Sequence, residues 1–174
     1  EFDTPVLLKM CTRVAHSQSI VETSDRAEPE MRPYEKNIAK YVMMPGNAIR
    51  RHPFVEERTR KLQAWAETAV VNRIDAGTDH KIGIITSSTS YQYVKEVFGD
   101  TYPVLKLGMA WPLPKEKILD LARSVEKLVV VEELDPIIED HCKALGLAVS
   151  GKEVLPLEGE FSQNLIAEKL GGTV

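Results

Sequence analysis

The sequence predicts an α/β fold: three layers, with a mostly parallel sheet of about four to five strands covered by helices on both faces. Two observations carry this. From Lys81 onward, short apolar runs alternate with amphipathic segments. The apolar runs are nearly continuous, as in strands buried on both faces.

The elements follow in order. KIGIITSS (81–88) is a strand ending in small hydroxyl residues, and TSYQYVKEVFG (89–99) is a helix stopped by Gly99. Tyr91, Val94, Val97 and Phe98 are spaced to face inward. YPVLKLG (102–108) is a second strand. KEKILDLARSVE (115–126) is a helix with Ile118, Leu121, Ala122 and Val125 on one face. KLVVVEE (127–133) is a third strand, and PIIEDHCKALG (136–146) a helix with Pro136 opening it and Gly146 past its end. A further strand is expected in 147–149 or 153–155, and a last helix from Phe161. Carboxyl-terminal strand ends form the usual functional edge of such a sheet.

The first half is less regular. TPVLLKMC (4–11) reads as a buried strand. Residues 23–53 mix Pro29, Pro33, Pro45, Gly46 and Pro53 with many charges and read as a connector of extended segments and turns. A long helix is expected over about 54–72, with Leu62, Trp65, Ala66 and Ala69 on its apolar face.

Composition is that of a globular protein, 43% hydrophobic and 28% charged, and the net charge of −4 argues against nucleic-acid binding. No apolar run reaches the length of a membrane span, and the first residues lack the basic and apolar regions of a secretory signal. Cys11 and Cys142 are far apart and form no CxxC, which fits a reducing cytosol and a cytoplasmic location. The chain does not begin with Met, and an excised piece of a longer protein is expected.

Candidate site residues are few. Ser87 and Ser88 lie in a strand-to-helix loop, where backbone N–H groups favour anions, but the glycines of a nucleotide fingerprint and a Walker lysine are missing. Helix capping by Ser87, Ser88, Thr89 or Ser90 is the simpler expectation. Glu132 and Glu133 suggest an acid–base pair, yet alternation along a strand sends them to opposite faces. Asp135 is the expected cap of the next helix. Arg13 and His16 are suited to an anion or an interface. Arg50, Arg51 and His52, with Arg58, Arg60 and Lys61 beyond them, form a basic run that Glu56 and Glu57 offset. His141 has no second His or Cys at ligand spacing.

Taken together, FDTPVLLKMCTRVAHSQSIVE (2–22), KYVMMPGNAIRRH (40–52), IGIITSSTSYQYVKE (82–96), VLKLGMAWPLPKEKI (104–118) and LVVVEELDPIIED (128–140) resemble the alpha subunit of indolepyruvate ferredoxin oxidoreductase. The resemblance implies a thiamine-diphosphate-dependent parent enzyme. That enzyme decarboxylates aryl 2-oxo acids oxidatively, forms an acyl-CoA and passes electrons through 4Fe-4S clusters to ferredoxin. It also implies domain identities. Residues 1–22 would be the closing strand and exit of a pyrimidine-binding domain, 23–80 a connector, and 81–174 a domain like the carboxyl-terminal domain of transketolase. Expected partners are the remaining domains of the alpha subunit, the beta subunit and ferredoxin.

The GDG…N motif that holds Mg²⁺ and the diphosphate is absent from this chain, as is the cysteine run of the cluster domain, so no cofactor is expected on this piece and its role is expected to be architectural. No catalytic or metal-binding residue carries over. Arg13, His16, Ser87, Ser88, Glu132 and Glu133 remain as expected interface or active-site-edge residues. Arg13 and His16 are similar to an Arg…His stretch at the same point of the related pyruvate enzymes. The competing readings are the equivalent domain of another 2-oxo acid ferredoxin oxidoreductase or of an oxo-acid dehydrogenase, and a stand-alone nucleotide or CoA module.

Overall fold

A computed structural model describes residues 2–31 and 33–173. The chain divides into two units, Glu1–Arg58 and Thr59–Val174.

The second unit is built on a five-stranded sheet: β1 (Arg73–Asp75), β2 (Ile82–Ser87), β3 (Val104–Leu107), β4 (Lys127–Val131) and β5 (Val149–Ser150). The spatial order is β1-β3-β2-β4-β5. All pairings are parallel except β1 with β3. β2 is central, with Ile85 opposite Leu105 on one side and Val130 on the other. Ile84, Val104, Val129 and Val131 point into one core, with α4 (Ser90–Phe98) and α7 (Gln163–Leu170) over it. Their neighbours Ile85, Leu105, Leu128 and Val130 point into a second core beneath α5 (Lys115–Ser124) and α6 (Ile137–Ala144). The period of two along each strand therefore produces two cores and three layers.

The expected inward faces hold. Tyr91, Val94, Val97 and Phe98 are buried on α4, and Ile118 and Leu121 on α5. β1 was not expected: three residues with one apolar side chain carry no periodicity to read. It is anchored instead by polar bonds to α4. The buried Tyr91 hydroxyl donates to Asp75 Oδ2 at 2.7 Å, and Arg73 donates to both Tyr91 Oη and Asp75 Oδ1 at 2.9 Å.

The long helix α3 runs Pro45–Thr68 and crosses the boundary between the units. It starts nine residues before the sequence expectation, because Pro45 at a first helical position costs no hydrogen bond, and it keeps Pro53 inside. In the second unit Ala66 and Ala69 are buried, whereas Trp65 stays 38% exposed.

In the first unit, α1 (Thr12–His16) and α2 (Ile38–Tyr41) are short. Residues 4–11 form no strand, contrary to the sequence reading, and Val6, Leu7 and Leu8 are more than 80% exposed. A strand needs a partner for its backbone N–H and C=O groups, and no strand among the described residues pairs with this one.

Gly77 is fixed by close approach: a Cβ there would sit 2.2 Å from Pro103 N and from the Tyr102 carbonyl carbon. The Gly77→Ala substitution is expected to cost about 2 kcal/mol through this overpacking. Gly46→Ala, with open space around it, should be neutral or slightly stabilising. Denaturant midpoints of the two variants test this, and equal midpoints would contradict it.

Candidate functional site

The strand order reverses beside β2, so the crevice between the carboxyl ends of β2 and β4 is where ligands of open α/β sheets bind. Its walls come from the end of β2 and the loop after it (88–89), and from the loop after β4 (132–136).

After β2, Thr86 Oγ1 donates to Val131 O at 2.8 Å and ties the two strand ends together. Ser88 takes a left-handed backbone, φ 53°. α4 begins behind Thr89, which is itself helical in conformation and makes no side-chain capping bond. The expected hydroxyl cap therefore does not form: a residue already in helical geometry directs its oxygen away from the N–H groups that an extended cap residue reaches.

After β4, the adjacent acids separate as alternation requires. Glu132 is 7% exposed and lies against α6. Its Oε2 accepts from Ile138 N and its Oε1 from Glu139 N, both at 2.9 Å. Glu133 turns to the opposite face and accepts from Phe161 N at 2.8 Å. The expected cap, Asp135, is displaced: α6 opens behind Pro136, and Asp135 offers only its carbonyl, to Ile137 N. Glu132 already occupies the N–H groups that Asp135 would take.

The buried acid Glu139 completes this cluster. It accepts from Lys143 Nζ at 2.7 Å and from Lys152 N at 2.8 Å. Lys152 Nζ in turn donates to the carbonyl of Glu132 and lies 5.1 Å from the Phe161 ring centroid. Burial raises the Glu132 carboxyl above the usual glutamate range, outweighing the two N–H donors and Lys152. Burial also opposes charge on Glu139, but Lys143 and the Lys152 N–H hold it below that range. Gly151 leaves the room: a Cβ there would lie 2.2 Å from Glu139 Oε2.

The third strand end is closed in the same manner. Glu67, from α3, accepts from Glu116 N at 3.0 Å and Lys117 N at 3.1 Å, and so caps α5. Asn72, fully buried, donates to Ala66 O and accepts from Gly108 N and Met109 N. The loop after β3 is thereby held to the end of α3.

Ser87, Ser88, Glu132 and Glu133 are thus brought to one edge by β2 and β4. Arg13 and His16 lie in the first unit, exposed, in α1. The sequence reading missed Glu67, Asn72, Glu139 and Lys152. The partners that tie them to other elements are 49, 36, 13 and 20 residues away, so local pattern gives no signal of these links; Glu139–Lys143, by contrast, has the local i, i+4 spacing. Among the described residues, no group of three or more His, Cys, Asp or Glu is placed to hold a metal ion, and no helix is long and apolar enough to cross a membrane. The Cys142 thiol is fully buried and pushed up to about 12 by desolvation, with Glu132 and Glu139 adding to it. Such a thiol is a core residue rather than a ligand.

No family model matches the chain. It is 33% identical over 98% of its length to indolepyruvate oxidoreductase subunit IorA of Archaeoglobus fulgidus, covering 29% of that protein. Its identity to the subunit of the same name from Methanothermobacter marburgensis is 32%, over 99% of the chain and 30% of the relative. The chain therefore spans just under a third of the length of these curated relatives. Among solved structures, it superposes on a 2-oxoglutarate:ferredoxin oxidoreductase from Magnetococcus marinus with a TM-score of 0.54 and 16% identity, over 74% of this chain and 23% of that one. That structure holds 2-oxoglutarate, coenzyme A and succinyl-CoA.

Removing the Glu132 carboxylate leaves two buried N–H groups of α6 without acceptors. Glu132→Ala is expected to cost about 2–3 kcal/mol, and Glu132→Gln, which keeps one carbonyl oxygen, about 1 kcal/mol. Equal urea midpoints for Glu132→Ala and the parent chain would contradict the capping role.

The acid limb of stability tests Glu139. Its folded pKa is depressed, so its contribution is complete above the unfolded value, about 4.3, and is lost as pH falls through the folded value. Glu139→Gln should be less stable than the parent near neutrality, and the gap should narrow as pH drops below about 4.3. A gap that stays constant with pH would show that Glu139 acts through packing alone.

Proposed function

Because the chain belongs to the family of indolepyruvate oxidoreductase IorA subunits, over the just under a third of their length that it spans, we propose that it is the architectural segment of such an alpha subunit. The parent enzyme would decarboxylate aryl 2-oxo acids oxidatively to an acyl-CoA with ferredoxin as electron acceptor. The observation that carries this is the match over 98% of the chain at 33% identity. The higher identity to the indolepyruvate subunits, against 16% for the 2-oxoglutarate enzyme, favours an aryl substrate for the parent.

Within that enzyme, residues 81–174 are the transketolase-like domain, with β1 added to its sheet from the preceding stretch, the rest of 23–80 the connector, and 2–22 the closing strand of a neighbouring pyrimidine-binding domain. The exposed Val6, Leu7 and Leu8 support the last assignment, since an extended apolar segment gains both its hydrogen bonds and its burial by joining another sheet. Arg13 and His16, directly after it, would stand at the border with that domain or the beta subunit. Ser87 and Ser88 would stand on the edge that faces the catalytic parts, where α4 has no side-chain cap.

The parent's thiamine diphosphate, Mg²⁺ and 4Fe-4S clusters do not fit the donors of this chain. It has two cysteines, one of them sealed in the core, and its edge acids Glu132 and Glu133 are both taken by backbone N–H groups. What these residues contribute is rigidity at the strand ends. The working enzyme would be cytoplasmic and assembled from the rest of the alpha subunit, a beta subunit and ferredoxin.

Titration calorimetry on the chain with thiamine diphosphate is expected to give no Mg²⁺-dependent binding. Adding the remaining alpha-subunit domains as a separate polypeptide should give a complex that binds the cofactor. Mg²⁺-dependent micromolar affinity for the chain alone, or failure of the two pieces to associate, would overturn the architectural assignment.

A further inference from the structure

We propose that the cavity of the first unit bounded by Lys40, Arg51 and Arg58 is a binding site for a small phosphorylated anion of diphosphate size, whichever enzyme the chain belongs to. The cavity has a volume of about 390 Å³ and is lined by Asp3, Thr4, Pro5, Lys40, Tyr41, Arg51 and Arg58.

The basic run of α3 looks neutralised in sequence, because Glu56 and Glu57 interrupt it. Helical geometry sorts the charges. Arg51, Phe54 and Arg58 recur at i, i+3 and i+7 and share one face. Neither glutamate lines the cavity, and Glu56 is turned towards His52 at 3.6 Å. α2 contributes Lys40 and Tyr41 to the same space. An adjoining cavity of about 280 Å³ shares Lys40 and Arg51 and adds Arg50 and Phe54.

One carboxylate enters this basic space. Asp3 Oδ2 lies 2.7 Å from Lys40 Nζ, and Arg58 donates to the Asp3 main-chain carbonyl. Among the described residues, three cations therefore face one acid in a concave wall. Guanidinium groups match phosphate oxygens in pairs, and a diphosphate carries enough charge to engage both arginines and the lysine at once. The cations are also backed by rings: Lys40 lies 5.1 Å from the Tyr41 centroid, and Arg51 lies 5.5 Å from that of Phe54. Such stacking restricts the side chains before a ligand arrives. Asp3 sits at φ 50°, a left-handed conformation unusual for a residue with a side chain, and its carboxylate occupies the place an incoming anion would take.

The test is calorimetric titration of the full chain at low salt with inorganic pyrophosphate, and in parallel with ADP, which separates a free diphosphate from a diphosphate ester. Binding of either below about 1 mM is expected. The Arg51→Ala/Arg58→Ala double variant should weaken it by about tenfold or more, while Arg123→Ala, on α5, should not. Asp3→Asn, which removes the internal competitor and not a ligand contact, should tighten binding a few-fold, roughly one charge's worth of relieved competition. No measurable heat with either anion, an unchanged affinity in the double variant, or weaker binding by Asp3→Asn would each overturn the proposal.

Discussion

The second unit depends on one carboxylate. Glu132 follows the end of β4, beside the central β2, and gives one oxygen to each of two N–H groups in the first turn of α6. A helix start buried against a sheet needs acceptors for its unpaired N–H groups, and water does not reach them there. A side chain from the preceding strand solves this only if strand and helix hold fixed positions, so the bond sets the angle at which α6 leaves the sheet. Glu139 and Lys152 extend the constraint. The N–H that Glu132 accepts belongs to Glu139, whose carboxylate accepts from Lys152 N, and the Lys152 ammonium returns to the Glu132 carbonyl. The ring joins β4, α6 and the segment after β5.

Glu67 does for α5 what Glu132 does for α6, and the acid comes from outside the sheet, on α3. Asn72 completes this second anchor by holding the start of the loop after β3. Two of the helix starts at the carboxyl edge are thus filled by acids of the chain itself, while the N-cap side chains of α4, α5 and α6 make no capping bond of their own. An edge arranged in this way presents few acids able to exchange protons with a substrate. Both Glu132 oxygens and one Glu133 oxygen are taken up in fixing backbone.

Much of this was legible in the sequence. The alternation within IGIITS and LVVV assigns Ile84 and Ile85, or Val129 and Val130, to opposite cores, and the spacing of Tyr91, Val94 and Phe98 orients α4. The opposite directions of Glu132 and Glu133 follow from the same rule, and each acid is found on its own face. What could not be read was where the acids end up. Local rules put Asp135 at the start of α6 because a short acid beside Pro136 is the nearest candidate, but Glu132, three residues earlier, reaches the same N–H groups. Likewise Glu67 looks like one more charge on a helix until the fold brings α5 to it. Long-range polar bonds carry no periodicity, so capping by distant residues is the part of a site that pattern analysis loses first.

The two units also differ in how their apolar residues are used. The second unit places isoleucine, leucine, valine and phenylalanine in two cores, with Ile84, Ile118, Phe161 and Ile166 at 1% exposure or less. Among the described residues of the first unit none is buried, although Val6, Leu7, Leu8, Ile20 and Met31 are as apolar as any core residue. The same kind of sequence, a run of valine and leucine, therefore gives a strand at 128–131 and exposed, unpaired chain at 6–8. The difference lies in the neighbours. β4 has β2 on one side and β5 on the other, and the backbone of residues 4–11 has no strand partner among the described residues. Apolar content makes a segment fit for a sheet, but hydrogen-bonding neighbours decide whether it becomes a strand.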